Sequence, residues 1–227
     1  WVYTRNSFYN FTLLVLLTSL LLSRVLDIKR ILFLLSIFTL IAIAKALIQR
    51  YIGFDAGENA WLIRSESYKT HLLPSGIRYF SIFSDAGNFG SNMGMAAVVF
   101  MILSFYMSNK KLRYYYRFVS LLAAYGLIMS GTRGAMIVPL GGLAMFILLN
   151  KNIRYIVGGA ICLLFIYIFF AQTHIWDSNR QIHRMRTAFH PEKDASYLVR
   201  KANQKRLAEY MVHKPFGEGV GLADRKS

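Results

Sequence analysis

The segment Ser130-Gly131-Thr132-Arg133-Gly134 places a guanidinium within an otherwise apolar run from Phe118 to Leu149. An arginine at membrane depth is costly, and it generally faces a cavity or a partner rather than lipid. A guanidinium keeps its charge and offers a planar fork of donors that suits phosphate or carboxylate groups. The two glycines leave backbone that a ligand can approach closely. We therefore interpret Arg133 and Ser130 as candidates for an anion site; a snorkelling arginine at the end of an ordinary span is the alternative.

Two further candidates, Arg78 and Asp85, stand just before the third apolar run. A short oxygen-bearing side chain at a helix start satisfies free backbone N–H groups, so Ser84 or Asp85 is predicted to cap that helix. A local ion pair of Arg78 with Asp85 is one interpretation. Lining of a substrate pocket is the other.

A basic tail after Gln172 carries the remaining candidates, Arg200 and Asn203. The segment from Ser196 to His213 is predicted to be a helix, with Pro215 after its end. Arg200 and Asn203 fall on one face of that helix. A solvated helix lying on anionic lipid explains this pattern about as well as a ligand site does.

The other potential sites have no supporting context. The five histidines lack the spacing and carboxylate partner of a helical zinc site, so we expect no metal. Gly217-x-Gly219-x-Gly221 follows no strand and does not predict a nucleotide site, and we expect no cofactor. The single cysteine, Cys162, lies within an apolar run and allows no intrachain disulfide.

Composition indicates the elements that position these residues. Of 227 residues, 55% are hydrophobic, and the apolar residues form several runs of helix length, which predicts an all-α, polytopic membrane bundle rather than a soluble domain. The formal charge of +16 sits mainly in loops beside these runs and in the tail, which favours membrane lipids and an anionic ligand over nucleic acid. About six spans are predicted: Phe8–Leu26, Ile31–Gln49, Asn88–Met107, Phe118–Ser130, the run after Arg133 to Leu149, and Ile153–Phe170.

The predicted organisation is a transmembrane region over residues 1–170, with an outer loop near 53–87, followed by the start of a large, partly helical loop over 171–227. Three basic clusters alternate along the chain, at Lys29/Arg30, at the loop Asn109–Arg117, and at Lys151/Arg154. The positive-inside rule places all three in the cytoplasm, so Arg133 and the tail are expected to face outward. Because the sequence begins at Trp1 and stops in a basic polar run, we expect it to be a fragment of a longer chain.

Three motifs in this order carry a family resemblance: Arg78-Tyr-Phe-Ser-Ile-Phe-Ser-Asp85, then Ser130-Gly-Thr-Arg-Gly-Ala135, then Asp194-Ala-Ser-Tyr-Leu-Val-Arg200 followed by the glycine-rich loop Pro215–Gly221. Together they resemble the O-antigen ligase and polymerase superfamily of bacterial inner-membrane glycosyltransferases. The resemblance covers about two-thirds of the chain, from Arg78 to Leu222.

The resemblance implies a multi-pass enzyme of the inner membrane with an active site facing the periplasm. Its members transfer a glycan from undecaprenyl pyrophosphate to lipid A–core, in the ligases, or to another repeat unit, in the polymerases. They use no metal and no nucleotide. Their essential arginines match Arg133 and Arg200 here, whereas the family's histidine lies beyond the end of this chain, so the general base is not assigned.

Three alternatives stay open. A polymerase shares the donor chemistry with a ligase. A transporter of lipid-linked oligosaccharides should show inverted repeats or paired broken helices, and the sequence shows one broken pair. A non-catalytic membrane scaffold would leave Arg133 explained only as a snorkelling residue.

Overall fold

The computed structural model describes residues 25–73, 76–150, 152–173, 180–186 and 195–213. These residues are mostly helical, with one short hairpin. The helices are α1 (Val25–Tyr51), α2 (Ala56–Arg64), α3 (Tyr68–His71), α4 (Ala86–Tyr106), α5 (Lys110–Ser130), α6 (Ile137–Leu149), α7 (Ile153–Ala171), α8 (Arg180–Arg186) and α9 (Ala195–His213). A 3₁₀ turn (Arg133–Met136) separates α5 from α6, and strands β1 (Leu72–Leu73) and β2 (Gly76–Ile77) pair antiparallel.

The chain divides into two compact units. One comprises Leu34–Lys193 and holds α2 to α8 with most of α1. The other comprises Trp1–Phe33 and Asp194–Ser227, and its described part is the beginning of α1 together with α9. The predicted helix from Ser196 to His213 is confirmed as α9. The predicted span Phe8–Leu26 lies almost wholly outside the described residues, as does the loop Pro215–Gly221.

Within the part of the chain that the structure describes, three helical segments are long and apolar enough to cross a membrane: Ile28–Tyr51, Ala86–Tyr106 and Ile153–Phe170. The segment Arg133–Leu149 is a shorter apolar helical stretch. Large apolar side chains on these helices are exposed, for example Phe38 on α1 and Phe165 on α7. Such surface is typical of helices that face lipid.

Helix α5 begins earlier than predicted. The basic segment Asn109–Arg117 was expected to be a loop, but Asn109 accepts a hydrogen bond from the backbone N–H of Lys111 at 2.9 Å and caps a helix that starts at Lys110. Lys, Leu and Arg are good helix formers, so nothing opposes helix over this stretch once it is capped. Arg113 donates to the carbonyl of Met107 and thereby ties the cap to the preceding helix.

The polar segment between α1 and α4 is also more ordered than its composition suggested. Asp55 and Glu58 form a capping box that starts α2, and both carboxylates lie within 3 Å of Lys45 Nζ on α1. A small apolar core lies behind them, made of Leu62, Phe80 and Ala86 with Phe54 and Trp61. The segment between α1 and α4 is therefore a packed layer anchored on α1.

Close contacts between α4 and its neighbouring helices determine how the rest of the bundle packs. A side chain at Gly94 would lie 2.9 Å from Pro139 Cδ, and one at Gly126 would lie 3.1 Å from Met93 Cγ. A side chain at Gly90 would collide with Ser130 Oγ. Gly90 and Gly94 therefore allow close helix packing, which brings α4 directly against the segment that carries Arg133.

Candidate functional site

The turn that carries Arg133 is built by Gly131. This residue ends α5 with φ = +56°, a left-handed conformation that only glycine adopts without strain, and its N–H donates to the carbonyl of Ile128 at 3.1 Å. Thr132 is then extended, and the 3₁₀ turn begins at Arg133. The predicted break between two apolar helices is therefore confirmed at this position.

Ser130 stabilises the turn from inside. Its side chain is fully buried, and its hydroxyl donates to the carbonyl of Leu127 at 2.7 Å while accepting from the N–H of Thr132 at 3.2 Å. Both roles of the hydroxyl are thus used within the turn. The predicted contact of Ser130 with a ligand stays a prediction.

Arg133 is half-buried at the start of the 3₁₀ turn, and Gly134 beside it is exposed. A Cβ added at Gly134 would meet no atom within 4 Å. Glycine at 131 is therefore required by the backbone, whereas glycine at 134 leaves an open approach next to the guanidinium. A ligand can reach the chain on that side without displacing a side chain.

Arg78, in the segment between α1 and α4, contacts the same turn. Its Nη2 donates to Thr132 Oγ1 at 2.7 Å, and its Nη1 donates to the carbonyl of Thr70 at 3.2 Å. Next to it, the N–H of Tyr79 reaches the carbonyl of Met129 at 3.4 Å. The structure thereby connects Arg78 with the residue that precedes Arg133, a pairing that the 54-residue separation hides in the sequence. Burial raises the pKa of Tyr79, so its phenol stays neutral.

The loop that carries Arg78 is held in place from α1. Ser81 has φ = +55°, which is unfavourable for a residue with a Cβ. Gln49, 2% exposed, accepts from the N–H of Ser81 at 2.9 Å and donates to its carbonyl at 3.1 Å, and Ser81 Oγ donates to the carbonyl of Ala42 at 2.6 Å. These three bonds offset the strain and fix the loop against the helix.

Asp85 is confirmed as the cap of α4, since its Oδ2 accepts from the N–H of Gly87 at 2.7 Å. The local pair of Arg78 with Asp85 stays a prediction, and the structure adds a neighbour that sequence reasoning missed: His71 Nε2 lies 3.6 Å from Asp85 Oδ1. His71 Nδ1 lies 2.9 Å from the carbonyl of Ser67, which can only accept, so the proton resides on Nδ1. His71 Nε2 then accepts from the N–H of Ala86 at 3.4 Å.

The Asp85 carboxylate belongs to the same locality as the arginines. Its side chain is 46% exposed. A Cβ at Gly87 would lie 2.6 Å from Asp85 Oδ2 and 3.8 Å from the methyl group of Thr132. Arg78, Asp85, Ser130 and Arg133 are therefore brought to one end of the Leu34–Lys193 unit.

The two remaining candidates lie in the other unit. Arg200 and Asn203 are on α9, and the side chain of Asn203 is exposed. Their predicted roles toward a ligand stay predictions.

An apolar cavity of ≈ 250 Å³ adjoins the turn. Met136 and Pro139, which follow Arg133 by one and two turns of chain, form part of its wall, with Leu127 and Ile128 from the end of α5. Side chains of α4, α7 and α8 complete it, including Met101, Cys162, Phe170 and Met185. The molecule thus places the 3₁₀ turn that begins at Arg133 next to a space suited to hydrocarbon.

Metal ligation gains no support among the residues that the structure describes, since these contain no group of three or more His, Cys, Asp or Glu side chains able to hold a metal ion. No protein-family model, curated protein or solved structure matches this chain.

Proposed function

We propose that this protein is a membrane glycosyltransferase of the O-antigen ligase type. It transfers a glycan from undecaprenyl pyrophosphate to lipid A–core or a similar acceptor, without a metal. The observation that carries the proposal is the link from Arg78 to Thr132, directly before Arg133, in a turn whose Met136 lines an apolar cavity. A lipid pyrophosphate has the same two parts, an anionic group joined directly to a hydrocarbon chain.

The chemistry needs charge stabilisation above all. The acceptor hydroxyl attacks the anomeric carbon of the donor sugar, the bond from that carbon to the pyrophosphate oxygen breaks, and its electron pair leaves with the phosphate. The acceptor proton passes to a base that we do not assign. Guanidinium groups held in place before the reaction stabilise the departing phosphate, and each such donor is commonly worth about 10²–10³ in rate.

Arg133 is the principal candidate for this role, since it is half-buried and adjoins the open backbone at Gly134. Arg78 supports Arg133 from nearby, because it donates a hydrogen bond to Thr132, the residue before Arg133. Arg200 is proposed as a second catalytic arginine, as the family resemblance implies, and Asn203 is proposed as a substrate-binding residue on the same face of α9.

The proposed setting is the bacterial inner membrane, with about six spans and the Arg133 end of the helices facing the periplasm. The three apolar helical segments and the shorter one after Arg133 support a multi-pass chain. The basic residues at the opposite helix ends, among them Lys110, Lys111 and Arg154, support this orientation by the positive-inside rule.

The deciding experiment is glycan transfer in a bacterial strain that lacks its own O-antigen ligase. Wild type, Arg133→Ala, Arg200→Ala and the control Arg154→Ala are expressed at equal level, and the lipopolysaccharide is separated on a gel. Arg154 is a suitable control because it is an exposed arginine at the other end of the helices. We expect long-chain glycan on lipid A–core with wild type and Arg154→Ala, and none with the other two variants.

Other outcomes select an alternative. Longer glycan chains in a polymerase-deficient strain, with no ligation, would identify a polymerase. Movement of the lipid-linked donor across the membrane without any transfer would identify a transporter. Full transfer by Arg133→Ala would remove Arg133 from the site whichever reaction occurs.

A further inference from the structure

Among the arginines whose side chains the structure describes, Arg186 alone is buried. It is 6% exposed on α8, and the neighbouring Ile182 and Met185 are buried as well. A guanidinium cannot lose its proton under physiological conditions, so α8 places a permanent charge inside the protein. Burial of that kind is costly unless the charge is used or compensated, and it is uncommon in arginine.

One contact of Arg186 shows how its charge is accommodated. Its guanidinium carbon lies 5.7 Å from the centre of the Phe169 ring, near the end of α7. A cation over an aromatic face is stabilised by the ring's electrons. Stacking of this type is a common way to orient an arginine toward an anion.

The position of α8 brings this charge to the Arg133 end of the helices. The helix packs against β2, α5 and α7. Strand β2 leads directly into Arg78, and α5 leads into Thr132 and Arg133. Met185, the residue before Arg186, lines the apolar cavity together with Ile128 and Met136. Three separate parts of the chain thus bring one arginine each to the same end of the unit.

From this juxtaposition we propose that Arg186 is a third phosphate-binding arginine of the site. The inference rests on the proposed function, because it assigns Arg186 to the pyrophosphate group of the same lipid donor. Pyrophosphate carries several negative charges on two phosphorus centres. Three guanidinium forks suit such a group better than one, since each offers paired donors and none can be neutralised.

The test is direct binding of inorganic pyrophosphate to the full chain, purified in detergent and titrated by calorimetry at fixed low salt. Arg186→Met keeps the length and apolar body of the side chain and removes the charge. We expect it to weaken pyrophosphate binding tenfold or more. The matched control is Arg64→Met, which removes one positive charge from an exposed site on α2 in the same unit and is expected to change binding less than twofold.

Arg186→Lys separates binding from packing. It keeps the charge and loses the fork, so we expect binding three- to tenfold weaker than in wild type. Thermal unfolding of each variant without ligand provides the second readout. A merely structural arginine would lower the unfolding temperature while the folded protein bound pyrophosphate normally, and that result in either variant would overturn the proposal. If Arg186→Met does not fold, Arg186→Lys decides alone, and binding within twofold of wild type overturns it.

Failure of the Arg186 assignment can be distinguished from failure of the proposed function. Pyrophosphate binding that depends on Arg133 and not on Arg186 would remove Arg186 from the site and leave the glycosyltransferase proposal intact. Binding that depends on Arg186, in a protein that transfers no glycan in the complementation strain, would leave an anion site and remove the transferase. A wild-type protein that binds no pyrophosphate would overturn the assignment of Arg186 outright.

Discussion

The two ends of the helices α4 to α7 both carry basic residues, and they hold them differently. At one end, Lys110, Lys111 and Arg154 are exposed, and Arg113 donates to the carbonyl that precedes α5. At the other end, Arg78 and Arg133 are half-buried, and Arg133 is followed directly by Gly134. Arg186 there is buried against an aromatic ring.

This difference shows that the number of positive charges does not distinguish the two ends of the helices. The contacts that hold each basic side chain do distinguish them. Exposed lysines are free to interact with lipid headgroups and are replaceable. Arg78 instead has defined partners on two elements, and the backbone next to Arg133 is shaped by a left-handed glycine. Side chains held by their neighbours in this way are suited to a fixed geometry of ligand recognition.

The largest effect is expected for Arg133→Lys. If the guanidinium fork is what binds the phosphate, a lysine cannot reproduce it, and the rate of glycan transfer should fall nearly as far as in Arg133→Ala, by about 10² or more. At the other end of the helices, Arg154→Lys should transfer at the wild-type rate. The measurement is the initial rate of transfer in membranes with equal amounts of protein. Full activity of Arg133→Lys would exclude a bidentate clamp.

A comparison of two glycines tests the packing at the same ends. A Cβ at Gly90 would collide with Ser130 Oγ and lie 3.0 Å from Ala135 Cβ, whereas one at Gly158 meets no atom within 4 Å. Gly90→Ala should therefore destabilise the protein by about 1–3 kcal/mol, the usual cost of overpacking. Gly158→Ala should be neutral or slightly stabilising. Unfolding temperatures in detergent that are equal for both variants would contradict the close approach of α4 to the turn.

Thr132→Val tests the link between Arg78 and the turn. Valine has the shape of threonine without the hydroxyl, so Arg78 loses the acceptor that lies 2.7 Å from Nη2. A hydrogen bond to a charged group contributes about 1.5–3 kcal/mol, and we expect pyrophosphate affinity to fall about tenfold. Arg113→Met, which removes the corresponding tie at the other end, should lower stability and leave the affinity unchanged. An unaltered affinity in Thr132→Val would show that Arg78 acts independently of Thr132.

The smallest effect is a pH dependence of stability at Asp55. The hydrogen bond from Lys45 lowers the pKa of this carboxyl below its ordinary value of 3.8. The unfolded chain therefore takes up the proton first as the pH falls, so the stabilisation is present above about pH 4 and is lost below it, as the pH passes through the folded-state value. Thermal unfolding between about pH 6 and pH 3 should show a loss in wild type that is smaller in Asp55→Asn. Parallel curves would mean that the Lys45 pair contributes nothing measurable, which is common for exposed pairs.

Local patterns in the sequence predicted much of this architecture. The cap at Asp85, the break after Ser130 and the helix ending at His213 each depend on residues next to one another. Capping and turn preferences act over a few residues, so they are visible in a linear sequence. Gly90 carries a local signal of the same kind, since small residues within an apolar run indicate contact between helices.

Features that depend on distant residues were not predictable from one sequence. The bond from Arg78 to Thr132 and the contact between His71 and Asp85 connect parts of the chain that only the fold brings together. Arg186 was one of several arginines in a basic tail, and nothing in that tail distinguishes it. Its signal is burial, which appears only when α8 packs between β2, α5 and α7.

The bonds between Gln49 and Ser81 also bear on the order in which the molecule can be assembled. Gln49 lies on α1 and precedes Ser81 by 32 residues, so the template for the Arg78 loop is synthesised before the loop itself. Both peptide groups of Ser81 can be matched to the amide of Gln49 while α5 is still being made. The loop that carries Arg78 can therefore fold before the Thr132 turn is synthesised. Thr132 then packs against a loop that is already in place.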